Sequence, residues 1–352
     1  MTIRRTWLFV FVMACGTSST PTPTPPEETR PLAPLAPKVT LVGPVLDPNG
    51  SKFGRDGASS GALGGKILYT FGDTLFFTKS VDGQSARSNT AAYAELSQPT
   101  VLSEPLDANG LPAQLIPFTA EEQAYNDKTQ KGDDRWVIWP GRVVQRPGGA
   151  TAIVYFDLFR IHPDKWEGVG TGVGEIGAGQ TVAKRLPDLV FKSPEVDFTH
   201  ATFEQDGTVY VYGCDLGLCR LAKSALTEAT TRAGYTFWTG DGWSAAYADA
   251  AQSIPGSGAG FSVNYDAYLD QYVSFTSSGI GKTVLMRVAK HPWGPFSDPT
   301  EIYAFPSGNV YAAGQHPALD QDGGKRIFIS AYNDLGNFKG EIDLMTVDLV
   351  KR

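Results

Sequence analysis

The chain has 352 residues, with 30 Lys and Arg against 37 Asp and Glu, a formal net charge of −7 and only 19% charged residues. That balance excludes a nucleic-acid partner, because phosphate binding needs a basic surface. The 39 Gly, 24 Pro and 11% aromatic residues, with little helical periodicity, point to an all-β chain of short strands between turns.

The N-terminus opens with the cationic pair Arg4-Arg5 and the apolar run Trp7 to Met13, far too short to span about 30 Å of hydrocarbon as a helix. Ala14 directly before Cys15 fits a bacterial lipobox. The expectation is a signal peptide over residues 1–14 and lipidation at Cys15; an ordinary signal peptide that contains a cysteine is the competing reading. Residues 15–37 (through GTSSTPTPTPPEETRPLAPLAP) are Pro/Thr-rich and poor in large apolar side chains. They form a linker that leans to extended polyproline geometry. The chain is therefore expected in the bacterial cell envelope, as a monomer touching the membrane only through the Cys15 lipid. Gly16, rather than Asp, after the Cys favours the outer membrane.

Five strand-rich units follow, expected to form one domain over residues 38–352. They are 65–73 (GKILYTFGD), 142–160, 201–221, 260–289 and 316–349. Each of the last four reads as strand, polar turn, strand of alternating Val, Ile, Tyr and Phe, and further strand. That is the rhythm of a β-propeller blade. The 315 residues after position 37 give about 63 per unit against about 40–50 in compact repeats, and the surplus lies in long loops. A six-bladed count or a pair of β-sandwiches fits the same spacing. Short helices are expected at 120–129 and 224–233. Cys214 and Cys219 face each other across a hairpin in the third unit, and in an oxidising compartment they form a disulfide.

Candidate chemistry centres on Asp56, in a Gly/Ser turn before the first unit, and Asp73, at the end of LYTFGD. Strand ends of a propeller converge on its axis, so two carboxylates so placed can share a central funnel, which is what glycoside hydrolysis needs. The bland alternative is two Asp residues capping turns. No two of the four His lie at ligand spacing, so no metal site is expected. His316 suits either a substrate hydroxyl or a buried packing role; His162 and His291 read as turn residues. Trp139, Trp166, Trp238, Trp243, Tyr265 and Tyr332 can stack on sugar faces, whereas Trp293 reads as structural. Gly168–Gly174 lacks the helix of a dinucleotide loop, and Ser257 lies in a loop, not a nucleophile elbow.

The stretch Arg55-Asp56-Gly57 through Phe71-Gly72-Asp73-Thr74 resembles the opening of the family called domain of unknown function 4185. Further likenesses are Ser88-Asn89-Thr90-Ala91, Gly168–Gly174, Ser262-Val263-Asn264-Tyr265, Gly294-Pro295-Phe296-Ser297, His316-Pro317-Ala318-Leu319 and Tyr332-Asn333. The resemblance implies a five-bladed propeller similar to arabinanases, and it links the chain to the endo-acting D-arabinofuranan hydrolases of glycoside hydrolase family 183. It implies Asp56 and Asp73 as catalytic acids, their roles unassigned; the substrate-binding candidates, taken from the likenesses together with the aromatic and funnel positions, are Asn89, Trp139, Asp197, His200, Asn264, Tyr265, His316, Tyr332 and Asn333. No cofactor is expected, a structural ion on the propeller axis is left open, and the expected partner is an oligo- or polysaccharide. The middle-blade Glu of arabinanases has no clear counterpart; Glu175 and Glu204 stand near its position. A carbohydrate-binding propeller without turnover and an adhesion propeller are the competing functions.

Overall fold

The computed structural model describes residues 31, 34–48, 50, 52–129, 134–195, 198–215, 217–256, 260–278, 281–336 and 339–351. The expected signal peptide, Cys15 and most of the 15–37 linker lie outside the described residues, as do Asp197 and Ser257.

Five antiparallel sheets form the blades of a propeller. Blade 1 runs outward through Ala58–Leu63, Lys66–Phe71, Thr90–Glu95 and Gln98–Ser103. Blade 2 is Arg135–Gln145, Thr151–Ile161 and Trp166–Gly177, with Lys184–Arg185 and Phe191–Lys192 sharing its outer edge. Blade 3 is Ala201–Gln205, Thr208–Asp215, Leu218–Ala225, Thr236–Trp238 and Trp243–Ser244, with Ile254–Pro255 pairing back to Leu218–Cys219. Blade 4 is Phe261–Asp266, Gln271–Ser277, Thr283–Ala289 and Thr300–Ala304. Blade 5 is Asn309–Gln315, Arg326–Gly336 and Lys339–Val350, completed on its outer edge by the N-terminal strand Leu35–Pro44. That strand closes the ring by pairing the two ends of the chain, and it begins a little before the expected domain start at residue 38. The five innermost strands touch in cyclic order, the last meeting the first.

Side-chain alternation explains why the sheets stack this way. Successive residues of a strand point to opposite faces, and here both faces are apolar. Ile67, Tyr69 and Phe71 pack against blade 5, whereas Leu68 joins Val154, Phe156 and Leu158 of blade 2. Ile153 and Tyr155 of blade 2 turn the other way, onto Val209 and Val211 of blade 3. Ile327, Ile329 and Ala331 face blade 4, and Phe328 and Tyr332 face blade 1. Each seam thus has its own core, and each large side chain buried there contributes about 1.5–3 kcal/mol. At Gly61 the inner strands of blades 1 and 2 approach so closely that a Cβ would overlap the carbonyl of Val143.

The helix expected at Ala120–Thr129 forms with those bounds. Its start is a capping box: Glu122 N–H donates to Thr119 Oγ1 at 3.2 Å, and Thr119 N–H donates to Glu122 Oε2 at 2.9 Å. The helix expected at 224–233 does not form. Ser224 and Ala225 are held in the ladder opposite Val209 and Thr208, and the chain then turns so that Leu226, Ala229 and Tyr235 reach the seam between blades 2 and 3. Only a single 3-10 turn, Arg232–Gly234, remains. The Cys214–Cys219 disulfide is present, its cysteines directly opposite across the blade 3 hairpin.

Candidate active site

Above blade 1 the chain makes a small three-stranded sheet from Phe53–Arg55, Thr74–Phe76 and Ala86–Arg87. Asp56 and Asp73 lie where the two chain segments pass between this sheet and the blade. Asp56 N–H donates to the Asp73 carbonyl at 2.9 Å, and Gly72 N–H donates to the Asp56 carbonyl at 3.0 Å. These bonds bridge the blade pairing Ala58 opposite Phe71 and the small-sheet pairing Arg55 opposite Thr74. The next residue, Gly57, has φ +45° and lies against Ala312 of blade 5, a left-handed turn that suits glycine.

Arg55 anchors this junction. Its side chain is 5% exposed, pairs with Asp47 at 2.8 Å and Glu104 at 2.6 Å, and lies 4.4 Å above the Phe71 ring. The residue before Asp56 is thus fixed from three sides.

The two carboxyl groups occupy different surroundings. Burial pushes Asp56 up to about 7; a hydrogen bond with the Tyr311 hydroxyl opposes the rise, and the charges of Asp73 and Asp334 add to it. Tyr311 packs against Tyr332 with ring centroids 4.9 Å apart. Burial also pushes Asp73 up, and the Arg135 guanidinium and the Trp139 N–H offset only part of the rise. Arg135 Nη2 lies 3.6 Å from Asp73 Oδ2, and Trp139 Nε1–H donates to Oδ1 at 3.2 Å. Asp73 is closely walled by protein, yet its side chain stays 29% exposed, so water reaches it. Burial raises both carboxyls; at Asp56 a like charge adds to the rise, whereas at Asp73 a cation and an indole N–H oppose it.

Blade 2 walls the site. Trp139 packs on Phe159 at 4.9 Å and Trp166 at 5.4 Å. Opposite it in the ladder, buried Asp157 accepts from Thr171 Oγ1 at 2.7 Å and also from Thr199 Oγ1.

Of the sequence candidates, Asp56, Asp73, Trp139, Trp166 and Tyr332 come together. His200 is half-buried at blade 3, where its Nδ1 accepts the Cys214 N–H at 3.4 Å. The others are placed elsewhere or turned inward. His316 is fully buried between Ser60 and Ser330, whose hydroxyls meet its ring nitrogens at 2.7 and 2.8 Å, so it holds the seam and not a sugar. Asn264 belongs to a buried plug: Arg142 donates to Asn264 Oδ1 at 3.0 Å and to the Gln315 carbonyl at 2.7 Å, tying blades 2, 4 and 5 together. Asn89 spends its amide on the Ile138 carbonyl and the Ile116 N–H. Asn333 is buried against Gly308. Tyr265 sits at the hairpin end of its strand, opposite the Asp56 end, bonded to Asp270 at 2.6 Å. Glu175 and Glu204 also lie at hairpin ends, the first paired with Arg146 and the second capping Gly207 N–H. Trp238, Trp243 and Trp293 pack on one another at the outer seam of blades 3 and 4.

Arg135, Tyr311, Asp334 and Asp157 were missed. Only Asp157 carried a signal, a lone acid within the apolar strand Thr151–Ile161. Among the described residues no group of three or more His, Cys, Asp or Glu is arranged to hold a metal ion.

The model of the domain of unknown function 4185 matches residues 178–338. No curated protein matches the sequence. A protein from Bacteroides ovatus ATCC 8483 superposes with TM-score 0.62 at 17% identity, over 83% of this chain and 85% of that one. A GH43_1 enzyme from Xanthomonas citri complexed with xylotriose gives TM-score 0.54 at 13% identity, over 87% and 90%. A GH43 β-xylosidase/α-arabinofuranosidase from a compost microbial metagenome, also with xylotriose, gives 0.50 at 13%, over 89% and 94%. The resemblance to the domain of unknown function 4185 family therefore holds over residues 178–338, on a five-bladed propeller fold shared with GH43 glycoside hydrolases.

Proposed function

We propose that this protein hydrolyses glycosidic bonds in a furanosidic, arabinan-like polysaccharide, with Asp56 as general acid and Asp73 as the second carboxylate. The observation that carries the reading is the contrast between the two groups: Asp56 is pushed up to about 7, while Asp73 faces Arg135 and the Trp139 N–H. Asp56 gives its proton to the leaving oxygen as the C–O bond breaks, and Asp73 acts across the sugar as base or nucleophile. The sugar class rests on the family resemblance, and the GH43 fold supports glycoside hydrolysis more generally.

We further propose that residues 1–14 direct export and that Cys15 carries the lipid anchor in the cell envelope. The Cys214–Cys219 disulfide is consistent with an oxidising compartment.

The test is a screen of arabinan, arabinogalactan and arabinoxylan for reducing-end release. Release by the wild type that both Asp56→Asn and Asp73→Asn lose supports the reading. Glycan binding without release favours a carbohydrate-binding role instead.

A further inference from the structure

The hydrolytic pair leaves one large apolar side chain beside it without a role. Trp166 is 64% exposed, and a single exposed apolar residue ordinarily needs no explanation. Its setting is what singles it out. The innermost strand of blade 2 runs 11 residues, against five to seven for the innermost strands of the other blades, and the two strands beside it run 11 and 12, lengths matched only by the second and third strands of blade 5. The excess of roughly five residues, at about 3.3 Å each, raises a wall about 15 Å above the ring. Pairing continues to its tip, where Ile161 stands opposite both Arg135 and Trp166. Arg160 braces the wall: its guanidinium lies 4.1 Å over the Tyr125 ring and 5.6 Å over Trp136, and bonds Asp134 at 2.6 Å.

A continuous path leads from the reacting centre to this ring. Asp73 accepts from the Trp139 indole, and the Trp139 ring meets Trp166 at 5.4 Å with planes 44° apart. An exposed aromatic ring packed beside polar groups offers an apolar face to sugar C–H groups and leaves the hydroxyls to water.

We propose that Trp166 is the platform of a distal subsite, stacking a sugar residue of the same glycan chain whose scissile bond lies between Asp56 and Asp73. The direction of the chain rests on the hydrolytic reading; the platform itself does not. Binding energy collected there, away from the reacting bond, can be used to hold the substrate in register.

The experiment compares wild type, Trp166→Ala and Trp166→Phe, using arabino- and xylo-oligosaccharides of two to six residues together with arabinan. Calorimetry reads affinity and reducing-end release reads kcat and KM. Trp166→Ala should weaken binding of the longer oligosaccharides and arabinan about 3- to 10-fold, spare the two-residue ones, and raise KM more than it lowers kcat; Trp166→Phe should recover most of the loss. Unchanged affinity in Trp166→Ala, or a loss equal at every length, overturns the platform while wild-type cleavage leaves the hydrolytic reading standing. Binding without cleavage that Trp166→Ala weakens keeps the platform and removes the hydrolytic reading. If the wild type binds none of these glycans, both fail.

Discussion

Asp56 and Asp73 are joined through their backbones: the Asp56 N–H donates to the Asp73 carbonyl at 2.9 Å. Their backbones are therefore held in fixed relation where the two segments pass from the small sheet to the blade. Any change in one residue's backbone is felt by the other, while their carboxyl groups remain in different environments.

Trp139→Phe keeps the ring packed against Phe159 and removes the N–H that donates to Asp73 at 3.2 Å. The Asp73 pKa should rise, because one group that lowers it is gone. The acidic limb of the pH–rate profile should move to higher pH, and kcat should fall, by about 10-fold for the loss of a hydrogen bond to a charged group. An unchanged profile contradicts the role given to Trp139.

A general acid must be protonated to act, and Asp56 is pushed up to about 7. The proposed activity should therefore decline as pH rises through about 7. Tyr311→Phe removes the hydrogen bond that opposes the rise, so this basic limb should shift to higher pH. Rate profiles of wild type and Tyr311→Phe against one soluble glycan measure both effects.

Arg55→Ala leaves the buried acids Asp47 and Glu104 without their cation. Breaking a buried pair from one side costs about 3–5 kcal/mol. Denaturant unfolding should show that loss near neutral pH, and activity should fall with it because Arg55 fixes the residue before Asp56. A loss below about 1 kcal/mol, the range of exposed pairs, contradicts the anchoring role.

Stability should rise on mild acidification. Asp56 and Asp320 are pushed up to about 7 and Asp266 to about 6, chiefly by burial. Folded-state values above the unfolded ones mean that the folded chain binds more protons; this contribution is full below the ordinary carboxylate range and is lost as pH rises through about 7. His316 is pushed the other way, to about 3 from 6.5, so its contribution is lost as pH falls below 6.5. Three acids outweigh one histidine, so Tm should be higher at about pH 5.5 than at pH 8. Asp56→Asn should raise Tm at the higher pH and flatten the slope.

The propeller was legible because alternation survives packing: in Ile327–Ala331 every residue is apolar or small, and neighbours simply serve opposite seams. The acidic pair was legible because both residues sit in turns at strand ends of one blade. Arg135 and Tyr311 were not, since only ring closure brings blades 2 and 5 to blade 1. The errors at His316, Asn264 and Asn89 share one cause. A polar residue inside a propeller seam must be satisfied, and sequence does not distinguish a serine hydroxyl or a carbonyl from a ligand as its partner. Tyr265 failed on position along its strand, where the far end faces away from the funnel.

The most direct test of the division of labour between Asp56 and Asp73 varies the leaving group. Asp56→Asn and Asp73→Asn are assayed on arabinan and on a nitrophenyl arabinofuranoside, whose phenolate departs without a proton. Both variants should lose about 10²- to 10⁴-fold on arabinan. On the nitrophenyl substrate Asp56→Asn should recover most of its rate, whereas Asp73→Asn should not. Equal losses on both substrates for Asp56→Asn, or recovery by Asp73→Asn, would contradict the assignment.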